Sequence, residues 1–426
     1  MENLKAKRTK EAKAMSNLFK IAIRNLLRYK RRTLLTFSLI TIGVVFVLVF
    51  ISVSGSFKNM MIGQITDSML GHLQVHRKGY VASIDNLPLN LNLKAGAVAR
   101  LENILDKDPE IEAYSPRIKF GGMFSNFTET SGIRLTAIYP EKEYSTTPLL
   151  PTRVIEGSKE LKRGGILIPE LLAKGMKVKT GDMAVIVATN QDGSVNGKQF
   201  TVTGILQSVT GPGGRDGYIH MEDAAEILRM NDKEISEFAI RLKDFGKLYK
   251  FSEKLEALLS KELNPQEKPI FELHTWEKLS PFFNIARMID VMTFFIKLML
   301  IAIVLISIMN VMIMAVYERI REIGTLAAIG TLPGKILNMF VIEGFCLGVG
   351  GAIVGNIAGI IIVFILNLSN ITFDFGQQKG FILQAYIKPS DILVISATVI
   401  IVSVIASLQP AFKASRMEPI TALKHV

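Results

Sequence analysis

The 426-residue chain is 49% hydrophobic with a mean hydropathy of +0.32, high for a soluble protein, and it carries a formal charge of +12. Its first 33 residues hold 11 Lys/Arg against Glu2 and Glu11, or +9 of that +12, so the basicity marks a membrane flank and argues against a nucleic-acid partner. Cys346 is the single cysteine, which excludes an intrachain disulfide.

Residues 1–32 read as a cytoplasmic basic segment ending in an amphipathic helix. Phe19, Ala22, Ile23, Leu26 and Leu27 follow the i, i+3, i+4, i+7, i+8 spacing of one helical face, while Lys20, Arg24, Arg28 and Arg31 occupy another. Such a helix lies in the headgroup plane, which makes these cations candidate membrane-surface residues facing anionic lipid. The first transmembrane helix follows at 33–57, 25 residues without Asp, Glu, Lys or Arg, where a span needs about 20. The run exceeds the roughly 7 to 15 residues of a signal-peptide core, and no small-residue cleavage pattern follows it, so it reads as an uncleaved anchor. Excess Lys/Arg before it places the N-terminus in the cytoplasm and residues 58–285 on the opposite side.

That outer segment reads as an α+β domain. Ile133, Leu135 and Ala137 alternate with Arg134 and Thr136, and Phe200, Val202, Gly204 and Leu206 alternate with Thr201, Thr203 and Ile205, as half-buried strands do. Leu248, Phe251, Leu255, Leu258 and Leu259 recur at helical spacing. The glycine-rich stretches 190–197 and 210–217 are expected to be mobile surface loops.

The second span is placed at 286–317, where Asp290 and Lys297 are expected to form an interfacial ion pair at its outer end. Residues 318–335 return to the cytoplasm as a short amphipathic helix, with Ile320, Ile323, Ala327 and Leu332 among Glu318, Arg319, Arg321 and Glu322. Gly324, Gly330 and Pro333 punctuate it. So compact a mixture of charge and apolar surface suits docking in a partner's groove, and reversing Glu322 to Lys on such a surface should alter folding by no more than about 0.5 kcal/mol. The third span, 336–368, carries Gly344, Gly348, Gly351, Gly355 and Gly359 on one face, a helix-packing stripe within the chain; Glu343 is placed near the inner interface. A short outer loop (369–391), a fourth span (392–412) and a basic cytoplasmic tail (413–426) complete the chain. The expected fold is thus a four-helix membrane protein with a large α+β extracytoplasmic domain inserted between helices 1 and 2.

Catalytic patterns are absent from the sequence. Residues 193–198 and 330–335 both read G-x-x-x-G-K, one residue short of a phosphate loop and followed by Gln199 and Ile336 in place of Ser or Thr. No H-E-x-x-H, paired-cysteine or G-x-S-x-G motif occurs, and His72 and His76, alternating with Leu73 and Val75, read as surface histidines on a strand. The chain is expected not to be an enzyme and to bind no metal or cofactor itself.

The run REIGTLAAIGTLPGKI (321–336), then Glu343-Gly344 and the ending QPAFKASRMEPITALKHV (409–426), resembles the permease subunits of FtsX- and MacB-type ABC transporters. Within that superfamily LTAIYP (135–140), GILIPELLAKGMKVKTGD (165–182) and DGYIHMEDAAEILRM (216–230) are most similar to the lipoprotein-releasing permeases of the Lol system. The resemblance implies a bacterial inner-membrane protein working as a dimer with a second copy or a paralogue. It also implies a separate cytoplasmic ABC ATPase that binds ATP and Mg and docks at Glu318, Arg321, Glu322, Gly324, Thr325 and Gly330. Closure of that ATPase would drive a mechanical release of lipoprotein or similar hydrophobic cargo. A periplasmic chaperone stands as an optional partner, because the hairpin NQDGSVNG (190–197) is shorter than the proline-bearing hook of the chaperone-recruiting Lol subunit. A MacB-like peptide or drug exporter and an FtsX-like regulator of cell-wall hydrolases are the alternatives.

Overall fold

The computed structural model describes residues 19–22, 24–26, 28, 30–209, 215–230, 232–375 and 378–418. Ile23 and Leu27 of the expected apolar stripe, the loop core 210–214 and the end of the tail lie outside these residues. In chain order, α1 (Lys30–Ile65) ends in a π-helical turn (Thr66–Leu70) and leads to β1 (Leu73–Arg77), α2 (Ala95–Asp106), β2 (Ile111–Ser125), β3 (Thr130–Ile138) and α3 (Pro140–Thr146). Then come β4 (Val154–Gly157), β5 (Gly165–Pro169), α4 (Glu170–Met176), β6 (Met183–Thr189), β7 (Val195–Leu206), β8 (Gly217–His220) and α5 (Met221–Ile227). The chain continues through β9 (Glu237–Leu242), α6 (Leu248–Leu259), β10 (Phe271–Thr275), α7 (Phe283–Glu318), α8 (Ile320–Ala328) and α9 (Pro333–Leu368). A two-stranded hairpin, β11 (Thr372–Phe375) and β12 (Gln378–Ile382), precedes α10 (Pro389–Ser415).

Two compact units result, one of residues 1–58, 288–371 and 382–426, the other of 59–287 and 372–381. Among the described residues of the first, four helices are long and apolar enough to cross a membrane: α1, α7, α9 and α10. They run past the charge-free stretches because charged residues at a span's end interrupt hydropathy without interrupting the helix. At 36 residues each, α1, α7 and α9 rise about 54 Å, against a hydrocarbon core of roughly 30 Å. Ile40, Val44 and Leu48 of α1 meet Leu300, Val304 and Ile308 of α7, Phe340 and Leu347 of α9, and Val399 of α10 in one buried cluster. Large apolar side chains such as Ile42, Phe294, Phe364 and Leu393 point outward, the distribution expected where the solvent is lipid.

The second unit is built on a ten-stranded sheet of order β10-β1-β9-β2-β3-β8-β5-β7-β4, with β6 pairing β2 and β7. Pairing is mostly antiparallel, with parallel steps at β3–β8 and β5–β7. On β3, Ile133, Leu135 and Ala137 are buried and Arg134 is exposed, as the alternation predicts, but Thr136 is buried too. Leu248, Phe251, Leu255 and Leu259 of α6 are buried, whereas Leu258 is exposed. The stretch 190–197 is not a free loop: Val195 onward is strand, and the turn closes with Asn190 accepting from Gly193 N–H (3.1 Å) and donating to Ser194 O (2.8 Å).

His72 and His76 are not surface residues. Each is at most 4% exposed, because β1 sits inside the sheet between β10 and β9. His72 Nδ1 accepts from the Leu242 amide (3.0 Å), and His76 Nε2 lies 3.6 Å from Glu237. Glu237 belongs to a buried charge cluster centred on Arg117, which donates to Glu143 (2.6 and 2.9 Å) and to Glu237 (3.0 Å), with Lys119 3.3 Å from the latter. Burial alone would raise the Glu237 carboxyl, but Lys119, His76 and Arg117 outweigh it and hold it well below the usual carboxylate range.

Candidate coupling joint

Arg319 separates α7 from α8. Its backbone leaves the helical region (φ −113°, ψ 20°), so α8 starts as a new helix rather than a continuation of the span. Ile320 and Ile323 are buried and Arg321, Glu322 and Thr325 exposed, but Leu332, expected on the apolar face, is 64% exposed. The helix stops at Gly330, whose φ of +90° only glycine adopts readily. There the Gly330 amide donates to Ala327 O (3.0 Å) and the Thr331 amide to Leu326 O (3.0 Å), the paired bonds of a Schellman ending. Pro333 then opens α9 at a position where its missing N–H costs nothing. Gly330 is thus explained by helix termination, a role separate from the docking role expected of it.

A network of charges holds α8 in place. Arg319 Nη1 donates to Glu343 Oε1 on α9 (2.9 Å), its Nε donates to Glu322 Oε2 on α8 (3.1 Å), and its guanidinium lies 5.7 Å from the Phe340 ring centre. Arg319 is 5% and Glu343 2% exposed, so this ion pair is buried. From the N-terminal segment, Asn25 Nδ2 donates to Glu343 (2.8 Å) and Arg28 Nη1 to Glu322 (3.1 Å). Glu322 is therefore not simply a surface charge: it bridges two arginines from different parts of the chain. Arg28 is likewise engaged here, while Lys20, Arg24 and Arg31 remain exposed.

The network leaves one end of the α8 region outward. Leu326, Ile329 and Leu332 are 37%, 77% and 64% exposed, an apolar tip flanked by the exposed Arg321 and Thr325. Thr325 Oγ1 donates to Arg321 O (2.8 Å), so its hydroxyl is turned back on its own helix. Sequence reasoning named Glu318, Arg321, Glu322, Gly324, Thr325 and Gly330 as docking residues but missed Asn25 and the pairing of Arg319 with Glu343. The available signal was Glu343 itself, an acid within an apolar helix that calls for a nearby cation.

The glycine stripe of α9 faces two helices. A Cβ added to Gly344 would lie 2.6 Å from Ser407 Cβ, and one on Gly348 2.7 Å from Ser403 Cβ, both on α10. Added at Gly351, Gly355 and Gly359, it would lie 2.5, 2.6 and 2.7 Å from Ile40, Val44 and Leu48 of α1. Asn356 Nδ2 donates to Ser396 Oγ across α9 and α10 (2.7 Å). The expected Asp290–Lys297 pair is replaced by another: Asp290 accepts from Lys58 of α1 (2.6 and 2.7 Å). Seven residues along a helix rise about 10.5 Å, too far for Asp290 and Lys297 to meet directly.

No group of three or more His, Cys, Asp and Glu suited to a metal occurs among the described residues. Of the lysines in the two near phosphate-loop stretches, Lys198 pairs with Asp223 (2.9 Å) and Glu226, and Lys335 lies in the first turn of α9.

Residues 33–258, more than half of the chain, match the family described as the MacB-like periplasmic core domain, and residues 294–419 match the FtsX-like permease C-terminal family. The lipoprotein-releasing system transmembrane protein LolC of Neisseria meningitidis is 22% identical over 422 residues, covering 92% of this chain and 94% of its own. LolE of Haemophilus influenzae is 22% identical over 76% of this chain and 80% of its own, and the macrolide export ATP-binding/permease protein MacB of Nitrobacter winogradskyi 26% identical over 54% and 34%. With the core-domain match before and within the inserted unit and the permease match across α7 to α10, the chain belongs to the FtsX/MacB family of ABC transporter permeases.

Proposed function

We propose that this permease is the membrane subunit of a transporter that releases lipoproteins, or similar lipid-modified cargo, from the bacterial inner membrane, driven by ATP hydrolysis in a separate cytoplasmic subunit. The observation that carries the mechanical part is the joint: α8 is fixed to α9 by the buried Arg319–Glu343 pair while its Leu326–Ile329–Leu332 tip stays exposed. A partner pushing on that tip moves a helix that is anchored, not hanging, so displacement passes into α9 and, along the glycine stripe, into α1 and α10. The choice of cargo is supported by the lipoprotein-releasing relatives, one of which aligns along 92% of the chain. In this reading N- and C-termini are cytoplasmic, the inserted domain is periplasmic, two permeases pair, and ATP and Mg belong to the ATPase.

The test is reconstitution of the full chain with its cognate ATPase in proteoliposomes carrying lipoproteins. ATP-dependent appearance of lipoprotein in the soluble fraction is expected. Export of peptide with lipoprotein retained would favour a MacB-like exporter, and ATP-dependent activation of a cell-wall hydrolase with no release an FtsX-like regulator. Ile329→Lys should abolish co-purification of the ATPase while leaving the permease folded, since a charge at a docking contact opposes burial and that side chain is already 77% exposed in the chain alone. Full ATPase binding by that variant would remove the docking role of the tip.

A further inference from the structure

A groove of about 660 Å³ opens in the membrane-helix unit between Phe19, Leu26, Leu34 and Phe37 on one side and Phe345, Cys346, Leu347, Val349 and Gly350 of α9 on the other. Its size falls in the range of clefts that hold small-molecule ligands, about 300 to 1,000 Å³. The walls are almost wholly apolar. Thr33, the one hydroxyl in the lining, donates to Leu26 O (2.8 Å), and the Cys346 thiol adds only a weak polar group. Gly350 shapes the wall: a Cβ there would come 2.9 Å from the Phe37 ring, so glycine lets the aromatic lie against α9.

Such a cavity does not hold water well, since water needs two or more polar partners. It needs an apolar occupant, yet its lining includes one charge, Lys30. Lys20, Arg24 and Arg31, from the same stretch of chain, are exposed, and with Lys30 they have no carboxylate partner among the described residues. Arg28 differs, being bound to Glu322 in the joint. The occupant must therefore combine an apolar chain with an anionic head. We infer that the groove binds an anionic phospholipid, its acyl chain against Phe37 and Leu347 and its headgroup at Lys30. The inference rests on the reading that these helices cross a bilayer, and it goes beyond surface attraction by assigning a single lipid to a defined cleft beside the coupling joint.

The probe is phosphatidylglycerol carrying a diazirine in its acyl chain, added to phosphatidylcholine vesicles containing the full-length permease, with labelled residues mapped by mass spectrometry. Labelling should concentrate at Phe345, Cys346 and Phe37 over Phe294 and Phe364, which face outward elsewhere. Unlabelled phosphatidylglycerol, and not phosphatidylcholine, should compete for the groove. Lys30→Gln should lower groove labelling roughly fivefold, the loss expected for one cation at an anionic headgroup, while Lys388→Gln leaves it unchanged. Leu34→Trp, at a position already 66% exposed, should block the groove without disturbing the helix bundle. Even labelling of all outward positions, indifferent to headgroup and to Lys30, would overturn the proposal in favour of ordinary boundary lipid. Absent groove labelling together with crosslinking of two chains through Cys346 would overturn it in favour of a second permease copy. Failure to label Phe294 and Phe364 as well would overturn both the site and the bilayer reading on which it rests.

Discussion

Arg319 and Glu343 form a buried pair whose members lose most of their water, so removing Glu343 takes away the buried counter-charge of Arg319 and leaves it to the partly exposed Glu322. Glu343→Ala should lower stability by about 3 to 5 kcal/mol, read as a drop in the thermal midpoint of the detergent-solubilised chain. An unchanged midpoint would show that Arg319 finds another partner. Glu322 behaves differently. Its two bridges to Arg28 and Arg319 are partly exposed and contribute only about 0 to 1 kcal/mol each, yet reversal to Lys would set three cations together. The expected limit of 0.5 kcal/mol thus does not apply to this site, and Glu322→Lys would mix a folding defect with any docking defect. In the inserted domain, Glu237 supplies a pH dependence. Its folded pKa is depressed, so the stability it contributes is complete above its ordinary value of 4.5 and is lost as pH falls below that towards the folded value. Glu237→Gln should be less stable at neutral pH and show a flatter acid limb in unfolding curves recorded from pH 7 downward. An acid limb as steep as that of the parent chain would assign the acid sensitivity to other carboxylates.

At the scale of elements, the spans and the glycine spacing were legible because both are periodic signals within one helix. Which helices the glycines meet was not, since that depends on pairings with residues far along the chain, roughly 60 positions away on α10 and 310 on α1. The stripe divides along the length of α9, Gly344 and Gly348 towards α10 and the remaining three towards α1. Gly351→Ala should lower stability by about 1 to 3 kcal/mol, because its Cβ would overlap the branched side chain of Ile40. Gly334→Ala, with open space around it, should be neutral or slightly stabilising. Equal midpoints for the two variants would refute the close packing of α9 on α1. The strand alternation of β3 and β7 was legible in the same way except at Thr136 and Ile205, which are buried where alternation predicts the outer face, whereas the burial of His72 and His76 was not legible. Local alternation identifies a strand but cannot say that β1 lies inside a sheet with both faces covered. The joint was half legible: the charges of α8 stood out, but Asn25 and Arg319 gained meaning only when folding brought them to Glu343 and Glu322.

For the whole molecule, the expected orientation follows from the basic N-terminal flank, and exposure now selects where to test it. Ser158 and Ser260 are exposed in the inserted domain, whereas Ser208, in a stretch that reads as a loop, is 1% exposed and would be a poor reporter. With Cys346 replaced by Ser, single cysteines at Ser158 and Ser260 should react with an impermeant maleimide in intact spheroplasts, and one at Ser16 only after lysis. Reaction at Ser16 in intact cells would invert the topology.

The buried pair at the joint also constrains how such permeases diverge. A lone change at position 319 or 343 takes a buried counter-charge from the survivor, whereas changing both together to an uncharged, well-packed pair removes that loss. The two positions should accordingly substitute as a couple across relatives, with Arg–Glu exchanged jointly for neutral side chains and seldom for a single survivor. The same arithmetic predicts rescue in the laboratory: Arg319→Met combined with Glu343→Leu should recover much of the stability that Glu343→Ala alone forfeits. The pair would then be needed only for whatever rigidity the charges add to the coupling helix.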